Sequence, residues 1–338
     1  MGDNMKNWKK AGLTALAGSL VAFSANAGEL SVSGSAKLTY TGDTGKNDTS
    51  GANADPGVDG QRWGMGRGIT FSGSAEMDNG WNMSLSQTLL AGAQSASTIT
   101  LDMGDAGTLL YQQTSGALGI GKIDDMMPTA SEEVWDGIDT NGTSSAGGVT
   151  GKVSGGVNGF NYSNTMGMIT LDIGYDPKGA AGGSDGANSG TGGNTSSTSV
   201  AIQLSPIDGL NVGAGTGEVG NTSTIGEVND HETYFATYTW GPITAGYQHS
   251  EIDMYNTSSD YESDGFGILF AVNDELSISY GERDTELSGD AQEEQMEGIG
   301  ASYTMGSMSL ALHKNKGTNV AQSTSESEHT EIALSFSF

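Results

Sequence analysis

The sequence predicts an all-β fold, a transmembrane antiparallel up-and-down β-barrel of about sixteen strands. Three observations predict it. Segments of about ten residues with alternating polarity recur along the chain. The connections between them divide into a short set and a mostly long, polar set. The chain also closes on EIALSFSF, with Phe338 as its last residue. Termini normally fray into polar tails unless something ties them down. Here Ile332, Leu334, Phe336 and Phe338 share one face of an extended strand, and Glu331, Ala333, Ser335 and Ser337 share the other, a strict period of two.

The elements follow in order. MKNWKKAGLTALAGSLVAFSANA begins at Met5 with Lys6, Lys9 and Lys10, runs apolar from Ala11 to Phe23, and ends on Ala25-Asn26-Ala27. That pattern is a secretory signal with an A-x-A cleavage site, and its apolar run is too short to span a membrane as a helix. Residues 1–27 are therefore assigned to a signal peptide with MGDN as an upstream extension, and residues 28–338 to one barrel domain. The first strand, ELSVSGSAKLTYT, sets Leu30, Val32, Ala36, Leu38 and Tyr40 against Ser31, Ser33, Ser35, Lys37 and Thr39. RGITFSGSAEM, the turn DNG and WNMSLSQTLL then read as a hairpin, repeated by TITLDM, GDAG and TLLYQQ. MITLDIGY, TSVAIQLS, LNVGAGTG, ETYFATYTW, PITAGYQHS, DGFGILFAV, ELSISYGER, EGIGASYTM, MSLALHK and the closing strand follow.

Short connections occur at 78–80, 104–107, 205–209, 240–243, 273–275 and 305–307, and long ones at 41–60, 115–149, 176–197, 217–230 and 318–327. Tight turns at one end and long loops at the other describe an up-and-down barrel. An even strand count puts both chain ends at the turn end, so the first and last strands can pair. One face of the alternation is Val, Ile, Leu and aromatic, the other Ser, Thr, Gly, Asn and Gln. A membrane barrel uses that pattern with the apolar face to lipid and the polar face to the lumen. Trp81, Trp240, Phe270 and Tyr303 stand beside short turns, level with Phe338, as an aromatic girdle at a membrane interface would.

Composition narrows the class further. The 338 residues include 54 Gly, 5 Pro and no Cys, with a formal charge of −28. Removing residues 1–27 takes away three Lys and one Asp, leaving 10 basic and 40 acidic residues and a net of −30. This balance argues against nucleic acid, whose phosphates need a basic footprint. An exported chain without Cys draws no stability from disulfides.

On its signal segment, the start GELSVSGSAKLTY, the stretch GTLLYQQTSGALGIGKIDDMMPTASEEVWDGID and the terminal EIALSFSF, the sequence resembles the trimeric Gram-negative general porins, most closely the alphaproteobacterial type. The resemblance covers essentially the whole mature chain. It implies a homotrimer in the outer membrane, passing ions and small hydrophilic solutes by passive diffusion, in contact with bilayer lipid and lipopolysaccharide. It implies that the closing strand, with Phe336 and Phe338, is read by the barrel assembly machinery. It also implies that the long third loop folds into the lumen and forms the constriction. Asp124, Asp125, Glu132, Glu133, Asp136 and Asp139 lie within sixteen residues of that loop. In a narrow lumen such a run becomes a fixed negative ring, because a channel focuses field lines, and it favours cations. Family members oppose the acidic loop with a cluster of arginines, whereas this chain has only Arg62, Arg67 and Arg283. Lys37 and Arg283 point inward by strand parity. Arg62 sits at the mouth of the second strand, and Arg67 falls on the outward parity, so a bulge would be needed to turn it inward.

Other chemistries find less support. Gly116 to Lys122 has phosphate-loop spacing, but Ile123 stands where Ser or Thr is required. Asp55 to Gly60 opens like a calcium loop, yet Gly57 and Gly66 occupy ligand positions. No cofactor is expected, beyond adventitious calcium between acidic loops. His231, His249, His313 and His329 are scattered without metal-ligand spacing, and no catalytic grouping emerges, so the chain is read as no enzyme. The alternative is a secreted Gly-rich structural or adhesive β protein. A solenoid of that kind would show a short fixed repeat, and none is found.

Overall fold

In the computed structural model the strands are β1 (Ser31–Thr44), β2 (Gly60–Glu76), β3 (Asn82–Leu90), β4 (Ala93–Asp102), β5 (Thr108–Gln113), β6 (Gly159–Met166), β7 (Ile169–Asp176) and β8 (Ser197–Ile207). Then come β9 (Leu210–Gly220), β10 (Val228–Trp240), β11 (Ile243–Asp253), β12 (Tyr261–Ala271), β13 (Leu276–Leu287), β14 (Glu294–Met305), β15 (Met308–Thr318) and β16 (Glu326–Ser337). The structure describes residues 30–44, 60–113, 116–138, 152–156, 158–177, 195–220, 226–255, 260–289, 292–320, 324 and 326–338. The signal segment, the calcium-like stretch before Gly60 and Asp139 lie outside them.

Each strand pairs antiparallel with its sequence neighbours, and β1 pairs with β16 to close the barrel. Closure satisfies every ladder and leaves no edge, as a membrane sheet requires. At the seam, Gly34 N–H donates to Phe338 C=O at 2.7 Å and Phe338 N–H donates to Gly34 C=O at 3.0 Å. The last residue is thus hydrogen-bonded while its ring stays 82% exposed.

The period of two sets the two faces. Leu38, Ile69, Leu85, Ile173, Ile278 and Ile299 are exposed on the outside, while Ser, Thr and Gly between them turn inward. Trp240, Phe270, Tyr303 and Phe336 are exposed near the short-turn end, and Trp81 is half-buried beside its turn. Farther along β10–β14, toward the long loops, the same outward parity becomes acidic. Glu232 lies opposite Glu251, Glu251 opposite Glu262, Asp264 opposite Asp284, and Glu282 opposite Glu297.

Three readings are corrected. Gly159–Met166 is a strand that the sequence reading passes over, because Asn161, Asn164 and Thr165 dilute its apolar alternation. Strand β2 begins at Gly60, seven residues before Arg67. Arg67 itself belongs to no lumenal wall. The β1–β2 register runs unbroken from Ser31 opposite Ser72 to Asp43 opposite Gly60, so no bulge turns it inward and it shares the outer face with Trp63, Met65 and Ile69. At the long-loop end, β3 and β4 meet through Ala91 and Gly92, with φ of 51° and 90°, the left-handed pair that a tight two-residue hairpin needs. The wall is low there.

Candidate functional site

Between β5 and β6 the chain enters the barrel instead of leaving it. The segment from Leu118 to Ile138 is stitched along the inner wall by bonds between its backbone and inward-facing side chains. Gly119 N–H donates to Asn161 Oδ1 at 2.7 Å, Ile120 N–H to Ser199 Oγ at 3.1 Å and Met126 N–H to Gln248 Oε1 at 2.7 Å. Farther on, Ala130 N–H donates to Ser279 Oγ at 2.9 Å, and Asn315 Nδ2 donates to Glu133 C=O and Asp136 C=O at 2.8 and 2.9 Å. A loop has backbone polar groups to satisfy wherever it is buried, and β6 to β15 supply the partners.

Apolar contacts hold the loop as well. Ile120 packs with Val153 and Ile252, Ile123 with Ala201 and Phe235, and Ile138 with Met296 and Val320. Phe235, Ile252 and Met296 sit at inward positions where parity alone would place polar residues. Each fully buried side chain of this kind contributes about 1.5–3 kcal/mol. Gly267 lets the loop approach, since a Cβ there would lie 2.8 Å from Pro128 C=O.

The carboxylates do not form one uniform ring. Glu132 is exposed to the lumen. Asp124 is bonded to Lys152 at 2.9 Å; burial nonetheless raises its carboxyl, against the pull of that lysine. Burial, followed by a hydrogen bond and repulsion from Glu133, pushes the Asp125 carboxyl up to about 7. Burial raises Glu132, with Asp136 and Glu133 adding to it. Asp136 is lowered, chiefly by its hydrogen bond to His313. Asp139 lies outside the described residues.

Of the described cations near the loop, Lys122 is exposed on the loop itself and the others are engaged. Lys37 faces the lumen between Glu331 at 2.8 Å and Glu132 at 3.9 Å. Arg62 pairs with the fully buried Asp43 carboxylate. Arg283 is inward but only 2% exposed. It lies under the loop with its guanidinium 4.6 Å from the centre of the Trp135 ring, and Nε donates to Ser263 Oγ at 2.7 Å. It is therefore a support beneath the loop and no part of the open wall. Sequence reasoning missed Lys152, Asp43, His313 and His329; only the third dimension brings them to the loop. Across from the docked loop, β2–β4 present Gly66, Gly68, Thr70, Ser72, Ser86 and Thr98, with the Thr70 and Thr88 hydroxyls 2.9 Å apart.

A closed barrel, apolar outside and polar within, narrowed by a docked loop, defines a membrane channel with an aqueous lumen. A family model for the Gram-negative porins matches residues 12–337, and the chain belongs to that family. A substitution variant of Rhodopseudomonas blastica porin superposes with a TM-score of 0.62 at 15% identity, covering 92% of this chain and all of that one. A triple mutant of the same porin gives 0.61 at 14% over the same shares. A porin structure refined at 1.8 Å gives 0.62 at 14%, again over 92% and 100%. Curated protein sequences give no significant match. The chain is an outer-membrane porin, a water-filled passage for ions and small hydrophilic solutes.

Proposed function

We propose that this porin prefers cations and performs no chemistry of its own. One observation carries the reading: carboxylates outnumber cations at the described constriction, and apart from Lys122, exposed on the loop, those cations are held by a carboxylate or buried. Among the described residues, the seven carboxylates Asp43, Asp124, Asp125, Glu132, Glu133, Asp136 and Glu331 face five cations, Lys37, Arg62, Lys122, Lys152 and Arg283, and the facing wall is hydroxyl and glycine. Fixed charges in a passage comparable with the Debye length, about 8 Å at physiological salt, are incompletely screened. A cation entering is stabilised, and the effect weakens as salt rises. Reversal potentials across planar bilayers under a salt gradient should show cation selectivity. Neutralising Asp124, Asp125, Glu132 and Glu133 together should reduce it, whereas neutralising Glu326 and Glu328, on the outward face of β16, should leave it unchanged. An anion-selective or indifferent wild-type pore overturns the reading.

The partners follow from the outer surface. The facing carboxylates on β10–β14 repel across the ladder and suit the outer leaflet, where calcium or magnesium would bridge them to lipopolysaccharide phosphates. Trp81, Trp240, Phe270 and Tyr303 would form the girdle at the opposite interface. A homotrimer is supported by the low wall at β3–β5, where Gln87, Ser97 and Gln94 are hydrogen-bonded together on the outside; polar groups there suit another copy better than hydrocarbon. Phe336 and Phe338 would present the closing strand to the assembly machinery.

A further inference from the structure

Two of the four histidines, sixteen residues apart in sequence, come together at the inner wall beneath the third loop. His313 on β15 and His329 on β16 both point inward, with ring centres 5.3 Å apart. They are 2% and 5% exposed. Asp136, from the loop, completes the group: one donor atom from each of the three residues lies within 4.8 Å of the others. His313 Nε2 is 3.2 Å from Asp136 Oδ2.

The second imidazole shows what the group is arranged to hold. His329 Nδ1 lies 2.5 Å from Asp43 Oδ1, while its Nε2 is buried without a hydrogen-bond partner. A carboxylate accepting from Nδ1–H fixes the tautomer that leaves an Nε2 lone pair free. Metal-binding histidines are oriented by carboxylates in this way. A buried ring nitrogen with no partner costs free energy unless something fills the place. The loop passes directly over this ring through Gly137, whose φ is 71° and where a Cβ would lie 2.2 Å from the imidazole.

We propose that Asp136, His313 and His329 form a site for a transition-metal dication of the zinc type, with Asp43 as the positioning residue that orients His329. Two imidazoles and one carboxylate suit zinc, nickel or copper rather than calcium or magnesium, which take oxygen ligands. Small side-chain rotations bring the donors to the roughly 2.0–2.2 Å that such ions require. A bound ion would join the third loop to the wall through two strands and add positive charge beside Lys37 at the constriction.

The experiment uses the full-length, heat-modifiable barrel in detergent, stripped with chelator and titrated with zinc chloride by calorimetry. The expected result is one zinc per chain. Affinity should fall at least about tenfold in H313Q and in H329Q, and about tenfold in D43N, which keeps all three ligands but releases the ring. In bilayers, zinc should lower cation selectivity, a chelator should restore it, and magnesium at the same concentration should do neither. Equal zinc affinity in the wild type and the H313Q/H329Q double variant overturns the site, as does calcium binding as tight as zinc. If a histidine variant does not give folded barrel, cobalt decides on the wild type alone: visible absorption bands of a nitrogen-ligated, low-coordinate ion support the site, and their absence overturns it. Calorimetric binding does not depend on ion preference, so this outcome stands apart from the selectivity measurement.

Discussion

At the residue scale, the same carboxylate chemistry serves different ends within twenty residues of chain. Glu132 stands in the lumen, Asp124 is paired with Lys152, Asp136 is tied to His313, and Asp125 is buried against Glu133. Burial and a neighbouring carboxylate both disfavour the Asp125 anion, so near neutrality the Asp125–Glu133 pair holds a proton that an exposed pair would have lost. The sign follows directly. With the Asp125 carboxyl pushed up to about 7, raising the pH through neutrality adds negative charge at the constriction. Cation selectivity should therefore increase between about pH 6 and 8, and Asp125→Asn should flatten that step. Reversal potentials taken across this range check it, and a step of the same size in Asp125→Asn assigns the titration to another group.

At the scale of elements, the third loop is held by two independent kinds of bond. Its backbone groups find partners on the wall, and Leu118, Ile120 and Ile123 are fully buried. Removing the hydrogen-bonding partners would leave buried groups unsatisfied, whereas truncating an apolar anchor opens a cavity. Ile120 packs with Val153 and Ile252, so Ile120→Ala should weaken loop docking by roughly 2–4 kcal/mol. The barrel ladders do not pass through this contact. The variant should accordingly remain a heat-modifiable barrel with unchanged circular dichroism, yet show larger and noisier single-channel conductance. Wild-type conductance in a folded Ile120→Ala barrel would mean that the loop is secured by its hydrogen bonds alone.

For the whole molecule, closure is the decisive event. Fifteen of the sixteen pairings join strands adjacent in sequence, and the sixteenth joins β1 to β16 across the entire chain. Such a contact carries the largest loop-closure cost and forms against it only when many ladder bonds form together. The seam ends in the reciprocal Gly34–Phe338 hydrogen bonds, and the Phe338 ring lies over Gly34, where a Cβ would meet it at 2.3 Å and push it aside. Deleting Phe338 removes this clasp and the aromatic group at the interface together, and replacing it with Asp keeps the backbone bonds but puts a charge where the ring was. Folded protein in outer-membrane fractions should be largely lost, measured as the heat-modifiable band on semi-native gels. Wild-type levels in the deletion variant would contradict the role assigned to the last residue.

What the sequence by itself determined was the barrel. A period of two needs no tertiary information: parity alone put Lys37 and Arg283 inward and Arg67 outward, and the turn spacing predicted an even number of strands closed through the terminal one. Strand β6 escaped because Asn161 and Thr165 carry little contrast against Asn164, and contrast is all that periodicity can read. The site was only half legible. The acidic run in the third loop is local and visible, but which carboxylate is buried, paired or open depends on how the loop lies against the wall. Phe235, Ile252 and Met296 look like errors of alternation until the loop covers them. Asp43, Asp136, His313 and His329 come from four places in the chain and meet only because β1 closes on β16 and the loop crosses behind them. Local alternation fixes which face a side chain takes; the partners it meets across the lumen are set by closure and docking, which are properties of the whole chain.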